Sequence, residues 1–331
     1  MTFTAIAAPK PLTFSLLRAM ADGEFHSGQL LAQRFNVSRA SVHNALQGIE
    51  QYGLTLYSVR GRGYRLVEPP QWLDAERIRG ALRTPAAFHL NVLDSGASSN
   101  SALLQSAAQG APGGTVLALE WQSAGRGRMG RIWHSGLGNA LTFSLLWRFE
   151  CGIAALSGLS LAVGIAMMRV LRELGVKEVG LKWPNDVVDG QGKLAGILIE
   201  AQGDMLGPSA VVIGIGLNLR LPEMVAQQIG QPVSDLARVM AVMPERNRLL
   251  ALLLQALADV LAEFTQRGFV GLRDEWERYH LYQGRKVCMS LPDGSRPVGI
   301  VRGVTDDGAL RVETQHGVQV FNAGEISLRE A

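Results

Sequence analysis

At 331 residues, with 47% hydrophobic and 18% charged side chains, the chain is long enough for two or three domains and too apolar to be disordered. The net charge of +3 is too small to demand a nucleic-acid partner, but residues 1–67 hold seven Lys or Arg against three acids, a local +4 that leaves −1 for the remainder. Two cysteines, Cys151 and Cys288, lie far apart in the chain, which excludes a disulfide framework and a cysteine metal site and points to a reduced, cytoplasmic setting.

From Leu12 to Ala21 apolar residues recur at helical spacing, and Asp22-Gly23 ends the segment. Ser27 is placed to cap a second helix through Leu30, Leu31 and Phe35, Asn36-Val37 makes a tight turn, and Ser38 is placed to cap a third. In that third helix Val42, Ala45, Leu46 and Ile49 share one face and leave Arg39, Ser41, His43, Asn44 and Gln47 free. The layout is a helix-turn-helix with short polar side chains near the start of its last helix. Leu54 to Val59 and Tyr64 to Val67 read as two strands joined through Arg60-Gly61-Arg62-Gly63, a basic tip suited to DNA phosphates or the minor groove. Ser38, Arg39, Ser41 and Asn44 are candidate DNA contacts on the helix, with Arg60 and Arg62 on the wing. A protein-interaction module built on the same helices is the competing reading. Glu68-Pro69-Pro70 then breaks the pattern and sets a boundary, giving a winged helix-turn-helix over 1–68.

Phe88 to Leu93 reads as a strand, and Asp94 to Asn100 as a polar turn leading into a helix from Ser101 to Ala108. That turn either holds a small polar ligand head or merely caps the helix. Thr115 to Gln122 is a strand delivering Gly125-Arg126-Gly127-Arg128-Met129-Gly130-Arg131, three glycines and three arginines in seven residues. Glycine lets backbone approach a ligand closely, and each guanidinium offers a fork of donors for phosphate or carboxylate. Because Ile132-Trp133 and the apolar strand from Ala140 follow at once, the run reads as an anion-holding loop inside a folded domain rather than as a basic tail.

A helix from Ser157 to Gly175 and a strand from Val179 to Trp183 lead into Lys182-Trp183-Pro184-Asn185-Asp186. Lys193 stands at the mouth of the next strand, and Val211 to Ile215 is followed by Gly216-Leu217-Asn218. No serine or cysteine nucleophile with a histidine partner is legible, and no residues are spaced as metal ligands, so any chemistry rests on positioning and charge stabilisation. Leu249 to Phe264, broken by Gln255, Asp259 and Glu263, reads as a buried amphipathic helix rather than a membrane span. After a helix near Gly271 to His280, short strands at 286–290, 297–304, 309–313 and 317–321, with turns at Asp293-Gly294 and Asp307-Gly308, predict a small β-barrel.

The arginine loop with Trp133, then Lys182-Trp183-Pro184-Asn185-Asp186, then Lys193-Leu194-Ala195-Gly196-Ile197, in this order behind a helix-turn-helix, resembles the family of bifunctional biotin protein ligases and biotin-operon repressors. The likeness runs over nearly the whole chain and includes the ending Gly324-Glu325-Ile326-Ser327-Leu328-Arg329. It implies an α+β chain: the winged head, a mixed-sheet ligase domain of the biotin/lipoate type over 69–280, and an SH3-like cap over 281–331. It also implies an enzyme that joins biotin to AMP from ATP with Mg²⁺, forms biotinyl-5'-AMP, and passes biotin to a lysine of a biotin carboxyl carrier protein. The same intermediate is then the signal for a homodimer on operator DNA that represses biotin synthesis genes; the alternative is a ligase whose head no longer binds an operator.

By the same resemblance Ser98, Ser99, Asn100 and Gln122 recognise biotin together with Arg126, Gly127, Arg128 and Lys193. Lys193, Arg126 and Arg128 are the catalytic cations. Arg128, Arg131, Lys182, Asn185 and Asn218 serve ATP and the adenylate, with Asn218 or Asp186 near the phosphate-held Mg²⁺, and Trp133 is a candidate wall of the biotin site. The chain departs from the family pattern between Leu219 and Leu236, which carries no aromatic residue where the best-known member covers adenine with tryptophan.

Overall fold

The computed structural model describes residues 8–291, 294–322 and 327–330. Its first helices, α1 (Pro11–Ala19), α2 (Gly28–Arg34) and α3 (Arg39–Leu46), bury Phe14, Leu16, Leu17, Leu31, Val42 and Leu46 in a small core of their own. Both predicted caps form: Ser27 accepts from the Gln29 N–H and Ser38 from the Ser41 N–H, satisfying donors that a helix start leaves free. Asn36 takes φ 51°, the left-handed conformation a tight turn requires and asparagine tolerates. The wing is the antiparallel pair β1 (Leu56–Val59) and β2 (Gly63–Leu66); β1 starts two residues later than the apolar run predicts, and β2 is shifted by one residue toward the tip.

This head is packed onto the middle of the chain rather than hung from it. Tyr52 meets Trp121 edge to face at 5.7 Å, Arg18 lies over Trp72 at 4.3 Å, and Trp121 and Leu137 belong to the head's own apolar cluster. The backbone joins too: the Leu137 N–H donates to the Tyr52 carbonyl at 2.8 Å, and Asn139 Nδ2 donates to the Gly53 carbonyl at 3.1 Å.

The middle runs α4 (Ala75–Ala81), β3 (His89–Gly96), α5 (Ser99–Ala108), β4 (Thr115–Gln122), β5 (Ala140–Phe149), α6 (Leu159–Glu173), β6 (Val179–Lys182), β7 (Asp186–Asp189), β8 (Lys193–Gly203) and β9 (Ser209–Asn218). Then come α7 (Glu223–Ala226), α8 (Leu236–Val239), α9 (Arg246–Arg267) and α10 (Arg273–Tyr279). The sheet order is β3-β4-β5-β9-β8-β7-β6, with β3 and β4 parallel and the other pairs antiparallel. Two expectations need correction. The strand predicted to end at Leu93 continues through Gly96, because Ser95 and Gly96 still pair with Trp121 and Gln122; the helix after it therefore starts at Ser99, and the polar turn shrinks. β7, invisible as an apolar run, forms because it lies between β6 and β8 and pairs with both.

Alternation along the central strands assigns the two faces. Leu141, Phe143 and Leu145 of β5, with Val211, Ile213, Ile215 and Leu217 of β9, enter the main core against α6 and α9. α9 is long and apolar enough to cross a membrane, yet it lies in this core, with Leu249, Leu250, Leu253, Leu254, Leu257, Val260, Leu261 and Phe264 buried. On the opposite face Leu146 and Val212 pack under α5. Beyond α5 the same face turns small and polar: Thr142 and Ser144 on β5, Gly214, Gly216 and Asn218 on β9. Apolar packing there stops, and a cradle is left.

The last strands, β10 (Lys286–Ser290), β11 (Val298–Val304), β12 (Leu310–Thr314), β13 (Gly317–Phe321) and β14 (Ser327–Glu330), form an antiparallel sheet ordered β13-β12-β11-β10-β14. Residues 324–326 of the quoted ending, and Asp293 of the first turn, lie outside the described residues. The sheet docks through Trp183, whose buried indole N–H donates to the Gly308 carbonyl at 3.0 Å. Trp183 therefore ties its motif to the last sheet.

Beside this joint His280 is buried against Trp276, ring centroids 4.4 Å apart, with both ring nitrogens unpartnered. Burial penalises the charged imidazole and pushes its pKa down to about 3. The unfolded ring protonates near 6.5, so between about 6.5 and 3 the unfolded state binds a proton that the folded state refuses. Stability is expected to fall through that window by about 1.4 kcal/mol per pH unit from this group. Denaturant midpoints between pH 7 and 4 check it: His280→Phe is expected to flatten the acid limb, and an identical slope in the variant counts against this origin.

Candidate active site

The arginine run is an ordered hairpin, not a tail. Gly127 N–H donates to the Arg131 carbonyl at 2.7 Å, Trp133 N–H to the Gly125 carbonyl at 2.9 Å, and Met129 at the tip takes φ 56°. A Cβ on Gly125 would stand 2.6 Å from the Trp133 carbonyl, so glycine is required for the loop to close on itself. The fold brings Arg128 inward, where its Nη1 donates to Asn185 Oδ1 at 3.2 Å. Burial, the largest influence, lowers the Arg128 pKa; Asp186 opposes this and Arg131 adds to it. A desolvated guanidinium of this kind interacts strongly with an incoming anion. Next to it Lys193, first residue of β8, pairs with Asp186 at 2.6 Å, both largely buried, and its ammonium lies 5.9 Å from the Trp133 ring centre.

On the other side of these cations lies the polar turn. Ser98 caps α5, and Ser99 donates to Gln122 Oε1 through its N–H at 2.8 Å and its hydroxyl at 3.3 Å. Ser144 Oγ lies 2.7 Å from Ser99 Oγ and 2.5 Å from Asn100 Oδ1. Asn100 Nδ2 donates to Glu200 at 3.0 Å, and Glu200 pairs with Arg126 at 2.6 Å. The cap and ligand-head readings of this turn are therefore not exclusive: the Ser98 hydroxyl is spent on the helix, and the other groups line a cavity with Gln122, Arg126 and the sheet. Its floor is bare backbone. A Cβ on Gly214 would meet Asn100 Oδ1 at 2.1 Å, and one on Gly216 would meet the Trp133 ring at 2.3 Å.

A second, larger cavity of about 460 Å³ adjoins the first and shares Gly127, Arg128, Trp133, Asn185 and Lys193 with it. Arg131, Lys182, Asp186 and Asn218 also line it. Asn218 is buried at 2% exposure and spends its amide N–H groups on the Ser234 and Lys193 carbonyls, leaving Oδ1 without a partner. The segment without aromatic residues contributes Ile229, Pro232 and Val233 as an aliphatic wall, while aromatic surface comes from Trp133, Trp183 and Tyr282. Val233 is fixed there because it bridges Lys193 in parallel and because glycine at 192 leaves it room.

The predicted ligand and nucleotide residues thus converge. Sequence reading missed Ser144, Glu200, Gly196 and Gly214, whose signal was their even spacing on strands: Gly196, Leu198 and Glu200 share a face, as do Gly214, Gly216 and Asn218. The DNA candidates lie elsewhere, in the head, and line neither cavity. Arg39, Asn44 and Arg60 are exposed, whereas Ser38 and Ser41 are tied to each other at the helix start and Arg62 stacks on Phe25 at 4.0 Å.

Overpacking the floor is the direct check on this geometry. Gly216→Ala is expected to cost about 1–3 kcal/mol in chemical denaturation, because neither Trp133 nor the sheet can yield by an ångström freely. Gly190→Ala, with nothing within 4 Å of the new Cβ, serves as the control and should hold the midpoint; equal midpoints for both variants would refute a tightly filled floor.

Three family patterns match in order along the chain: a helix-turn-helix domain at residues 14–65, the biotin/lipoate A/B protein ligase family at 97–218, and the biotin protein ligase C-terminal domain at 284–329. The bifunctional ligase/repressor BirA of Salmonella typhimurium is 39% identical over 97% of this chain and 98% of its own length. That of Escherichia coli is 38% identical over 96% and 97%. The biotin protein ligase from Aquifex aeolicus, solved in complex with biotin and ATP, superposes with a TM-score of 0.64 at 28% identity, covering 73% of this chain and 99% of that one. With relatives matched end to end and a head, a ligase sheet and a C-terminal sheet in the same order, the chain belongs to the biotin protein ligase family, in its bifunctional ligase/repressor branch.

Proposed function

We propose that the chain is an ATP-dependent biotin protein ligase that also acts as a biotinyl-AMP-dependent repressor of biotin synthesis genes. One observation carries the reading: two adjoining cavities, the smaller lined by Ser99, Asn100, Gln122 and Arg126 and the other larger, share Arg128 and Lys193 at their seam. A reaction that must bring a carboxylate against a phosphate needs cations at the meeting point of its two substrates.

Biotin lies in the smaller cavity, its polar ring system toward Ser99, Asn100 and Gln122 and its carboxylate toward Arg126, Arg128 and Lys193. ATP lies in the larger one, with Arg131, Lys182 and Asn185 near the phosphates and the Asn218 Oδ1 free to accept from the base. The aliphatic wall of Ile229, Pro232 and Val233 covers the base in place of the missing tryptophan. Mg²⁺ would enter with ATP and neutralise phosphate charge, and Asp186, which lines this cavity, or Asn218 would offer it a hard oxygen donor, the latter only where its Oδ1 is not used on the base.

A carboxylate oxygen of biotin attacks the α-phosphorus, the bond to the bridging oxygen breaks, and pyrophosphate leaves. Lys193 and Arg128 offset the repulsion between the two anions and stabilise the charge that moves onto pyrophosphate. The lysine amine of a biotin carboxyl carrier protein then attacks the acyl carbon, forming the amide and releasing AMP. Residues 1–68 serve the operator, 69–280 the chemistry and 281–331 the cap. A single head covers little DNA, so repression calls for a homodimer reading two half-sites through Arg39, Asn44 and the wing. The bound intermediate must favour the dimer-competent state for the response to depend on it. All of this takes place in the cytoplasm.

Labelled biotin with Mg-ATP and a purified carrier domain gives the first test. The protein is expected to label the carrier, and Lys193→Ala is expected to do so at least a hundredfold more slowly, the size of effect typical for a lost transition-state donor. Equal rates would dismiss Lys193 from the chemistry. For the second role, an operator fragment should shift only when biotin and ATP are both present, and Arg39→Ala should weaken that shift; a shift independent of biotin argues for a head uncoupled from the ligase.

A further inference from the structure

We propose that Glu200 is a positioning residue that orients Arg126 and restrains the biotin site's preference for an ionised ligand. It holds Arg126 through its carboxylate and gives Arg126 up to the ligand's carboxylate on binding, keeping Asn100 in place throughout. The inference rests on the biotin reading above and concerns a residue outside every motif that carried it.

Glu200 lies on β8 two residues beyond Leu198 and four beyond Gly196, on the face that lines the smaller cavity. Its Oε2 receives two donors of different kinds. Asn100 Nδ2, at 3.0 Å, belongs to an amide that is 4% exposed and also held by the Leu198 carbonyl at 3.2 Å and by Ser144. Arg126 Nη2, at 2.6 Å, belongs to a side chain that is 41% exposed and projects from the loop. The first partner is fixed from several sides; the second is anchored by Glu200 and wet on its other face. An ion pair so open to water is screened and exchanges its anion readily, while the buried amide contact persists.

A ligand carboxylate arriving at Arg126, which lines the smaller cavity, therefore meets a cation already held in place and displaces an anion of the same chemistry. The exchange sets a threshold. An ionised ligand replaces what it removes, whereas an uncharged analogue would leave Arg126 on Glu200 and gain nothing from it. The remaining Glu200 charge also opposes any second anion close by, so affinity for an ionised ligand is held below its maximum.

Calorimetric titration with biotin and with biotinamide separates the roles, using the full chain and two variants, with circular dichroism to confirm folding. Glu200→Gln keeps the shape and an acceptor for Asn100 but removes the competing charge. It is expected to tighten biotin about fivefold relative to biotinamide. Glu200→Ala, which also strips the acceptor from Asn100, is expected to weaken both ligands. Equal weakening of both ligands by Glu200→Gln, or an unchanged ratio, overturns the proposal in favour of a purely structural glutamate. Failure of the unmodified protein to bind either ligand overturns the biotin reading itself, and this inference with it; binding of both ligands with an unaltered ratio fails only the inference.

Discussion

The buried pair between Arg246 and Glu120 holds together the three pieces of chain on which everything else is hung. Arg246, first residue of α9, is 4% exposed; its Nη1 donates to Glu120 at 2.9 Å and to the Gln71 carbonyl, and its Nη2 donates to the Ala140 carbonyl at 2.9 Å. The other Glu120 oxygen accepts the Leu73 N–H at 2.6 Å. Glu120 lies at the end of β4 and Ala140 opens β5, so this one ion pair clamps both feet of the loop that carries Arg126 and Arg128. Gln71 and Leu73 belong to the segment leading out of the head, and Asn247 next door ties the Trp72 and Asp74 backbone as well. A buried charge pair of this kind is costly to desolvate, and removing one partner strands the other at about 3–5 kcal/mol. Its value is geometric: loop, head and helix are held at one point.

The same logic of satisfied charge runs through the site. Lys193 rests on Asp186, Arg126 on Glu200 and Arg128 on Asn185, so the cations gathered around the two cavities each have a protein oxygen to face rather than one another. The glycines of β8 and β9 serve the opposite need. They strip side chains from part of a sheet face, which lets Asn100 and Trp133 approach the backbone and leaves room for a ligand between them.

The head meets the ligand loop at a second junction. Asn139 Nδ2 donates to the Gly53 carbonyl, while its own carbonyl accepts the N–H groups of Leu219 and Arg220, where the strand β9 gives way to the aliphatic wall of the larger cavity. The head, the exit of the arginine loop and the start of that wall therefore meet at one residue.

Much of this was written locally in the sequence. Helix caps at Ser27 and Ser38, the tight turn at Asn36, the apolar runs of β5 and β9, and the arginine loop depend on neighbours within a few residues, so composition and spacing suffice to read them. The three motifs and their order were enough to name a family. Tertiary structure decided the rest, because the partners are distant in the chain. β7 is a strand only because β6 and β8 flank it, and β3 runs past Leu93 only because β4 pairs with it there. Trp183 is spent on Gly308 in the last sheet. Glu120, Ser144, Glu200 and Arg246 look like ordinary polar residues in otherwise unremarkable segments. Burial and a partner between 44 and 126 residues away give each its role, and no local pattern encodes such a distance.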